Sequence, residues 1–470
     1  MNIFKMEHFI EFIFSSGLIQ DVAYGVTRLS FDSGDEQTIP HAVLTAKYSH
    51  VIGFYLQFCK EMDYPPLSES SLWRILRALK PSQRKNLAGL DDITAAGMNG
   101  FSELDNFLCQ LRQHKPLISQ LERGKRYLKT VYQTHCSVDS EIVTHNSTFA
   151  LSTLNDIPEV PVSERVCADC FSLASALNDC ISIATAGGNE ETIYDVKRWV
   201  DDVIKYWQHQ IRDFQQRQAK MYCFDNLDNK TGFWLKDFGQ KILPIRYREG
   251  QREYFGKKGM TNHIDVFISK YGENLIKYVY LTFIFRSNQA MVDVLNIGDH
   301  VLSQFKLDCP TVENLFAKSD NAGSYHGNHM LEALFKLCKA HNFNLLRYDY
   351  NEPCKGKDQC DRESAGVKTV MNSFVSSGKD MMNANDMFVA VHYGRGIRNT
   401  KASVLEIDSE KTSLSGTTIP LVSSYHSAEF FDTHMKLYRY FNIGPGVKIA
   451  YSNSNEFIKS YTVSKSFSQT

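Results

Sequence analysis

Residues 225–380 read as an α/β domain built on a mixed sheet, and three observations predict it. Three runs rich in aromatic and β-branched residues follow one another with no helical pattern between them. From residue 288 onward, helical and strand-like segments alternate, as they do when a sheet grows by crossovers. Aspartates stand at the ends of two strands and in the first turn of the last helix. Around this core, residues 1–130 read as a mostly helical region and 131–224 as a Cys/His-containing segment with a long helix. Residues 381–470 read as a C-terminal extension whose Ser-rich tail after Asn453 is loose.

Taken in order, the first patterned element of interest is Ser68–Leu79. It opens on serines that suit a helix N-cap and stops before Pro81. Arg74 and Arg77 on it make it either a helix-turn-helix recognition helix or a solvated surface helix. Cys167 and Cys170 have the Cys-x2-Cys spacing of a zinc knuckle, and Cys136 and His145 upstream complete a candidate Zn2+ set. Reduced thiols at a helix end explain the same pair without a metal. From Glu190 to Lys220 the apolar positions Ile193, Val196, Trp199, Val203, Trp207 and Ile211 recur at helical spacing, giving one long helix with a solvated polar face.

The core follows. Thr231–Phe238, His263–Ser269 and Leu275–Phe285 are the three strands, and a helix runs from Asn288 to Phe305. A fourth strand, Val312–Ala317, leads to Asp320. After it, Met330, Ala333, Leu334 and Leu337 lie on one helical face. Phe343–Tyr350 is the fifth strand, and a last helix starts near Asp361. The order β-β-β-α-β-α-β-α is that of the ribonuclease H fold. In that fold, carboxylates from the first strand, the fourth strand end and the last helix hold two Mg2+ ions roughly 4 Å apart for phosphodiester cleavage. Asp237, Asp320 and Asp361 stand in those three places, with Glu363 as an additional acid and Asp349 and Glu352 as weaker candidates. The competing reading of Asp320 is an ordinary helix-capping residue in a βα turn.

Lys236, Arg246, Arg248, Arg252, Lys257 and Lys258 are interleaved with Tyr247, Tyr254 and Phe255, so they are candidate nucleic-acid contacts. Glu249 and Glu253 dilute that patch. His263 and His326 are placed to assist proton transfer.

Several blocks together resemble an uncharacterised, transposon-derived animal family with a DDE transposase-type core. They are Lys236-Asp237-Phe238, Leu243–Gln251, Tyr254–Gly259, Asp320–His326 and Cys360–Ala365. The family carries a Cys where Asn146 stands here. The resemblance implies nuclear DNA strand cleavage and transfer, with Asp237, Asp320 and Asp361 holding Mg2+ or Mn2+. A catalytically inactive, domesticated DNA-binding or interaction protein is the alternative.

Composition bounds these readings. Apolar content of 43% and charged content of 22% over 470 residues describe a chain with ample core, and a net charge of −1 carries no global nucleic-acid or membrane signature. No stretch approaches the ~18 apolar residues of a membrane span. Eleven scattered cysteines fit a reducing compartment. The oligomeric state is left open.

Overall fold

The computed structural model describes residues 3–15, 18–30, 36–44, 47–79, 82–83, 91–111, 114–153, 165–250, 257–285, 287–353, 359–408, 411–452 and 457–470. The chain forms two compact units, residues 1–21 with 25–215 and residues 22–24 with 216–470. Among the described residues no helix is long and apolar enough to cross a membrane.

The first unit is largely helical, as the sequence predicts, but it also holds a small sheet. Helix α1 (Ile3–Ser15) is followed by strands β1 (Ile19–Ser30) and β2 (Glu36–Leu44), which pair antiparallel. Helices α2 (Tyr48–Glu61) and α3 (Glu69–Leu79) come next, then the two-residue strand β3 (Ser82–Gln83), parallel to β2. On α3, Leu72, Ile75 and Leu76 are buried while Arg74 and Arg77 are exposed. Its single apolar stripe is therefore spent on packing with α1 and α2.

A second cluster joins α4 (Asp92–Gln110), α5 (Lys115–Thr130), the short helices α6 (Tyr132–His135) and α7 (Ser147–Leu151), α8 (Ala168–Gly187) and the long α9 (Glu190–Asp225). Asp91 caps α4 by accepting from the Thr94 backbone N–H at 2.7 Å. Gly97 and Gly100, one turn apart on α4, let the α9 backbone approach closely. A Cβ at Gly100 meets the Trp199 carbonyl oxygen at 2.7 Å. Backbone cannot yield as a side-chain tip can, so Gly100→Ala should destabilise this unit by about 1–3 kcal/mol. A shift of the thermal midpoint measures it, and an unchanged midpoint would mean that the helices are not in close contact there.

The second unit carries one ten-stranded sheet. Its central elements are β4 (Thr231–Phe238), β5 (Thr261–Tyr271), β6 (Asn274–Phe285), α10 (Met291–Asp308), β7 (Asn314–Ser319), α11 (Met330–Ala340), β8 (Asn344–Tyr350) and α12 (Gln359–Ser376). The order β-β-β-α-β-α-β-α is the one expected from the sequence. Spatially the strands run β8-β7-β4-β5-β6. β5 is antiparallel to both β4 and β6, whereas β4–β7 and β7–β8 are parallel.

The period of two divides each strand between two apolar layers. Trp234 and Phe267 face α10 and α11, where Phe267 stacks on Phe305 at 3.9 Å between ring centroids. Phe233, Leu235 and Phe316 face α12 and α13 (Ala384–Val391). Each aromatic pair adds ~0.5–1.5 kcal/mol beyond the area it buries.

The C-terminal extension builds both sheet edges. β9 (Thr400–Ile407) adds parallel to β6. After the short β10 (Ser413–Leu414), β11 (Ser427–Phe430), β12 (His434–Tyr438) and β13 (Val447–Ala450) extend the edge at β8. β14 (Phe457–Ile458) pairs with β10, and β15 (Tyr461–Gln469) pairs antiparallel with β9. The expectation of a loose tail is thus corrected. The polar, Ser-rich stretch is an edge strand held by ladder hydrogen bonds, and its Phe467 rings against Tyr280 and His300.

Candidate functional site

From β4 the chain proceeds through β5 and β6 to one side of the sheet, then returns to build β7 and β8 on the other side. The order therefore switches between the parallel neighbours β4 and β7, and a crevice opens at the carboxyl ends of strands at such a point. Asp237 lies at the end of β4, and Asp320 directly follows β7. The register pairs Phe233 with Phe316, Leu235 with Lys318 and Lys236 with Ser319. The pairing ends there, so Asp237 and Asp320 follow at the same end of two neighbouring strands. Asp361 sits in the first turn of α12, where the helix N-terminus favours a carboxylate. Asp237, Gln240, Asp361, Ser364 and Lys368 line a common pocket.

Burial raises the carboxyl of Asp320 above its ordinary range, and the nearby charge of Asp361 pushes it further. A backbone N–H from Ala322, donated to Asp320 Oδ1 at 3.2 Å, opposes the shift. The three carboxylates thus share one end of the sheet. Their oxygens are not gathered into a group within 4.8 Å of one another, a spacing that among the described residues only His145, Cys167 and Cys170 meet.

The Asp320 turn is braced from the opposite face of the sheet. Tyr325 Oη and His263 Nε2 are 3.0 Å apart, and His263 Nδ1 lies 2.8 Å from Asp265 Oδ2. The carboxylate fixes the proton on Nδ1, so Nε2 accepts from Tyr325. Asp265 also accepts from Trp234 Nε1 at 2.8 Å, and Tyr350 Oη donates to the Tyr325 carbonyl at 2.9 Å. His263 is thereby a buried brace for the acidic turn. His326 stacks on Tyr350 at 4.1 Å, and burial lowers its pKa to about 4.

Other expected site residues fall elsewhere. Glu363 is two positions from Asp361 on α12 and pairs with Lys277 of β6, away from the pocket. Asp349 is buried in an ion pair with Arg347 at 2.9 Å, and Glu352 is buried. Lys236 is corrected as a nucleic-acid contact. It is 1% exposed, and its ammonium lies 4.1 Å from the Trp234 ring and 4.7 Å from the Tyr348 ring. One residue before Asp237, it points into the opposite layer because side chains alternate along a strand. Lys257 pairs with Glu249. Arg246, Arg248 and Lys258 are exposed, with Arg248 over Tyr247 at 5.3 Å. Arg252 lies outside the described residues.

In the first unit, His145, Cys167 and Cys170 form a group that could hold a metal ion. Cys167 is the N-cap of α8, and Cys170 lies one turn on. Hydrogen bonds from Cys170, His135 and His145 pull the Cys167 thiol down against its burial, while its pairing with Cys167 pushes the Cys170 thiol up. Cys136 stands apart from this group, and its thiol donates to the Tyr132 carbonyl at 3.3 Å. The expected set of four is therefore corrected at that position, since Cys136 turns into the helical core. Asn146 caps α7 by accepting from the Phe149 N–H at 2.8 Å.

No family model, curated protein or solved structure matches the chain.

Proposed function

We propose that the second unit is a ribonuclease H-like, DDE transposase-type core that cleaves or joins DNA phosphodiesters with Mg2+ or Mn2+. The observation that carries this reading is that Asp237 and Asp361 line one pocket at the β4/β7 switch point, with Asp320 at the same sheet end and near enough to Asp361 for its carboxyl to feel that charge. Hard oxygen donors of this kind suit Mg2+ or Mn2+, which keep several waters and need few carboxylates. Ligands shared between two ions ~3.5–4 Å apart stand farther from one another than ligands crowded on one ion.

The bound ions would activate a water or hydroxyl nucleophile and stabilise the leaving oxygen. The chain's own part is to hold three carboxylates at the mouth of the crevice and to keep the Asp320 turn rigid through Tyr325 and His263. Lys368, which donates to Gln240 Oε1 at 2.6 Å, supplies a cation at the pocket for a phosphate. Arg246, Arg248 and Lys258 are exposed, and DNA contact at these positions and nuclear localisation belong to the same proposal.

Calorimetric titration tests it without knowledge of the DNA target. Mn2+ should bind the native protein at least about 10-fold more tightly than an Asp361→Asn variant, the lower end of what supporting changes around a metal cost. Equal affinities would defeat the enzyme reading and leave a DNA-binding relic, for which salt-dependent DNA affinity is the next measurement.

A further inference from the structure

We propose that the first unit holds a structural Zn2+ ion bound by His135, His145, Cys167 and Cys170, with His135 as the ligand that closes the set. Four donor atoms surround one point there, the hydroxyl of Tyr127. His145 Nε2 lies 2.8 Å from that oxygen and His135 Nδ1 3.1 Å from it. Cys167 Sγ lies at 3.5 Å and Cys170 Sγ at 3.8 Å. His145 Nε2 is 3.4 Å from Cys170 Sγ. Zn–N and Zn–S bonds of ~2.0–2.3 Å in a tetrahedron place neighbouring ligands ~3.5 Å apart. His145, Cys167 and Cys170 already lie within 4.8 Å of one another, and His135, outside that limit, would close in on the ion.

Backbone structure explains why His135 and not Cys136 faces the site. Ser137 N donates to the His145 carbonyl at 3.0 Å and Ser147 N to the Ser137 carbonyl at 2.9 Å, which ties the end of α6 alongside the His145 segment. The rings of His135 and His145 consequently stand 5.3 Å apart. The next side chain along, Cys136, turns away into the core.

The surroundings match a metal-ligating imidazole. Nε2 of His135 faces Glu61 Oε2 at 3.6 Å, the carboxylate arrangement that orients a ligating ring and raises its basicity. Cys167 begins α8, where the helix N-terminus stabilises a thiolate. The hydroxyl of buried Tyr127 now occupies the centre of the four, so the ion would displace it, leaving it to donate to a thiolate sulfur. Two thiolates and two neutral imidazoles suit Zn2+ and form a closed, structural coordination shell.

Metal analysis of the full chain, purified under reducing conditions, should find one Zn2+ per molecule. The Co2+-exchanged protein should show tetrahedral visible bands with a charge-transfer intensity of two thiolates. His135→Ala should weaken Zn2+ binding more than ~100-fold, beyond the range of outer-shell changes, whereas Cys136→Ser leaves it unaltered. His135→Cys should retain the ion and gain a third thiolate's charge-transfer intensity. Should His135→Ala fail to fold, the thiolate count of the native Co2+ protein still decides. A three-thiolate spectrum, zinc lost on Cys136→Ser, or reduced native protein that takes up no Zn2+ or Co2+ would each overturn the assignment.

Discussion

If the proposed function holds, Asp320→Asn is expected to lower metal-dependent phosphodiester cleavage by more than ~100-fold, because it would remove a direct ligand rather than an outer-shell partner. The same change should raise the stability of the metal-free protein. Asp320 is half-buried beside Asp361, and its carboxyl sits above the ordinary range through burial first and that charge second. In the window between the unfolded and folded values, the folded state holds the proton more tightly. Stability from this group therefore falls as pH rises through the window and stays lowered at neutral pH. An uncharged Asn does not carry that penalty. Metal favours the native protein instead: at a Mg2+ or Mn2+ concentration of 100 times Kd, the native chain gains about 2.7 kcal/mol, and the variant, which binds more weakly, gains less. Thermal midpoints with and without metal read both signs at once. A variant no more stable than the native protein without metal, and equally stabilised by metal, would show that Asp320 is a turn residue.

Lys236→Met should stabilise the second unit at pH 7 and flatten its alkaline pH dependence. The ammonium is fully buried, and burial lowers its pKa to about 7. The unfolded chain has the ordinary lysine value, so between about pH 7 and 10.4 it binds more protons than the folded one. Stability accordingly rises with pH through that window. At pH 7 the shift costs on the order of 4 kcal/mol, and the faces of Trp234 and Tyr348 return ~1–2 kcal/mol. A Met of similar volume removes the cost and keeps the packing, for a net gain of about 1–3 kcal/mol at pH 7. Urea midpoints at pH 7 and pH 9.5 test it. A stability that does not rise with pH in the native protein, or a variant that is less stable at pH 7, would show that Lys236 has a partner in the folded state.

Local pattern was enough to define the elements of the second unit. β4 keeps its predicted bounds, and β6 and β8 differ by one residue from the runs read as strands. Each is a short run rich in apolar and aromatic residues and buried over at least half its length, a signal that needs no distant partner. The chain also carried the places of Asp237, Asp320 and Asp361, because strand ends and a helix start are local events. The long α9 was legible for the same reason, since its apolar spacing repeats over many turns.

Only the tertiary structure decided which neighbours of those residues share the site. Lys236 and Asp237 are adjacent in sequence, yet strand alternation sends one into an apolar layer and the other to the crevice. Asp361 and Glu363 part in the same way on a helix, where two residues turn the side chain to another face. The edge strand β15 depends on β9 for every ladder bond, so its polar sequence reads as a tail until its partner is known. His135 and Cys136 are the sharpest case. Composition and spacing favour the cysteine, but the pairing of Ser137 with the His145 segment aims the histidine at Cys167. Sequence determined which groups able to bind a metal this chain possesses and roughly where its strands and helices place them. Which of them meet was decided by register and side-chain direction, which arise only when distant segments pair and pack.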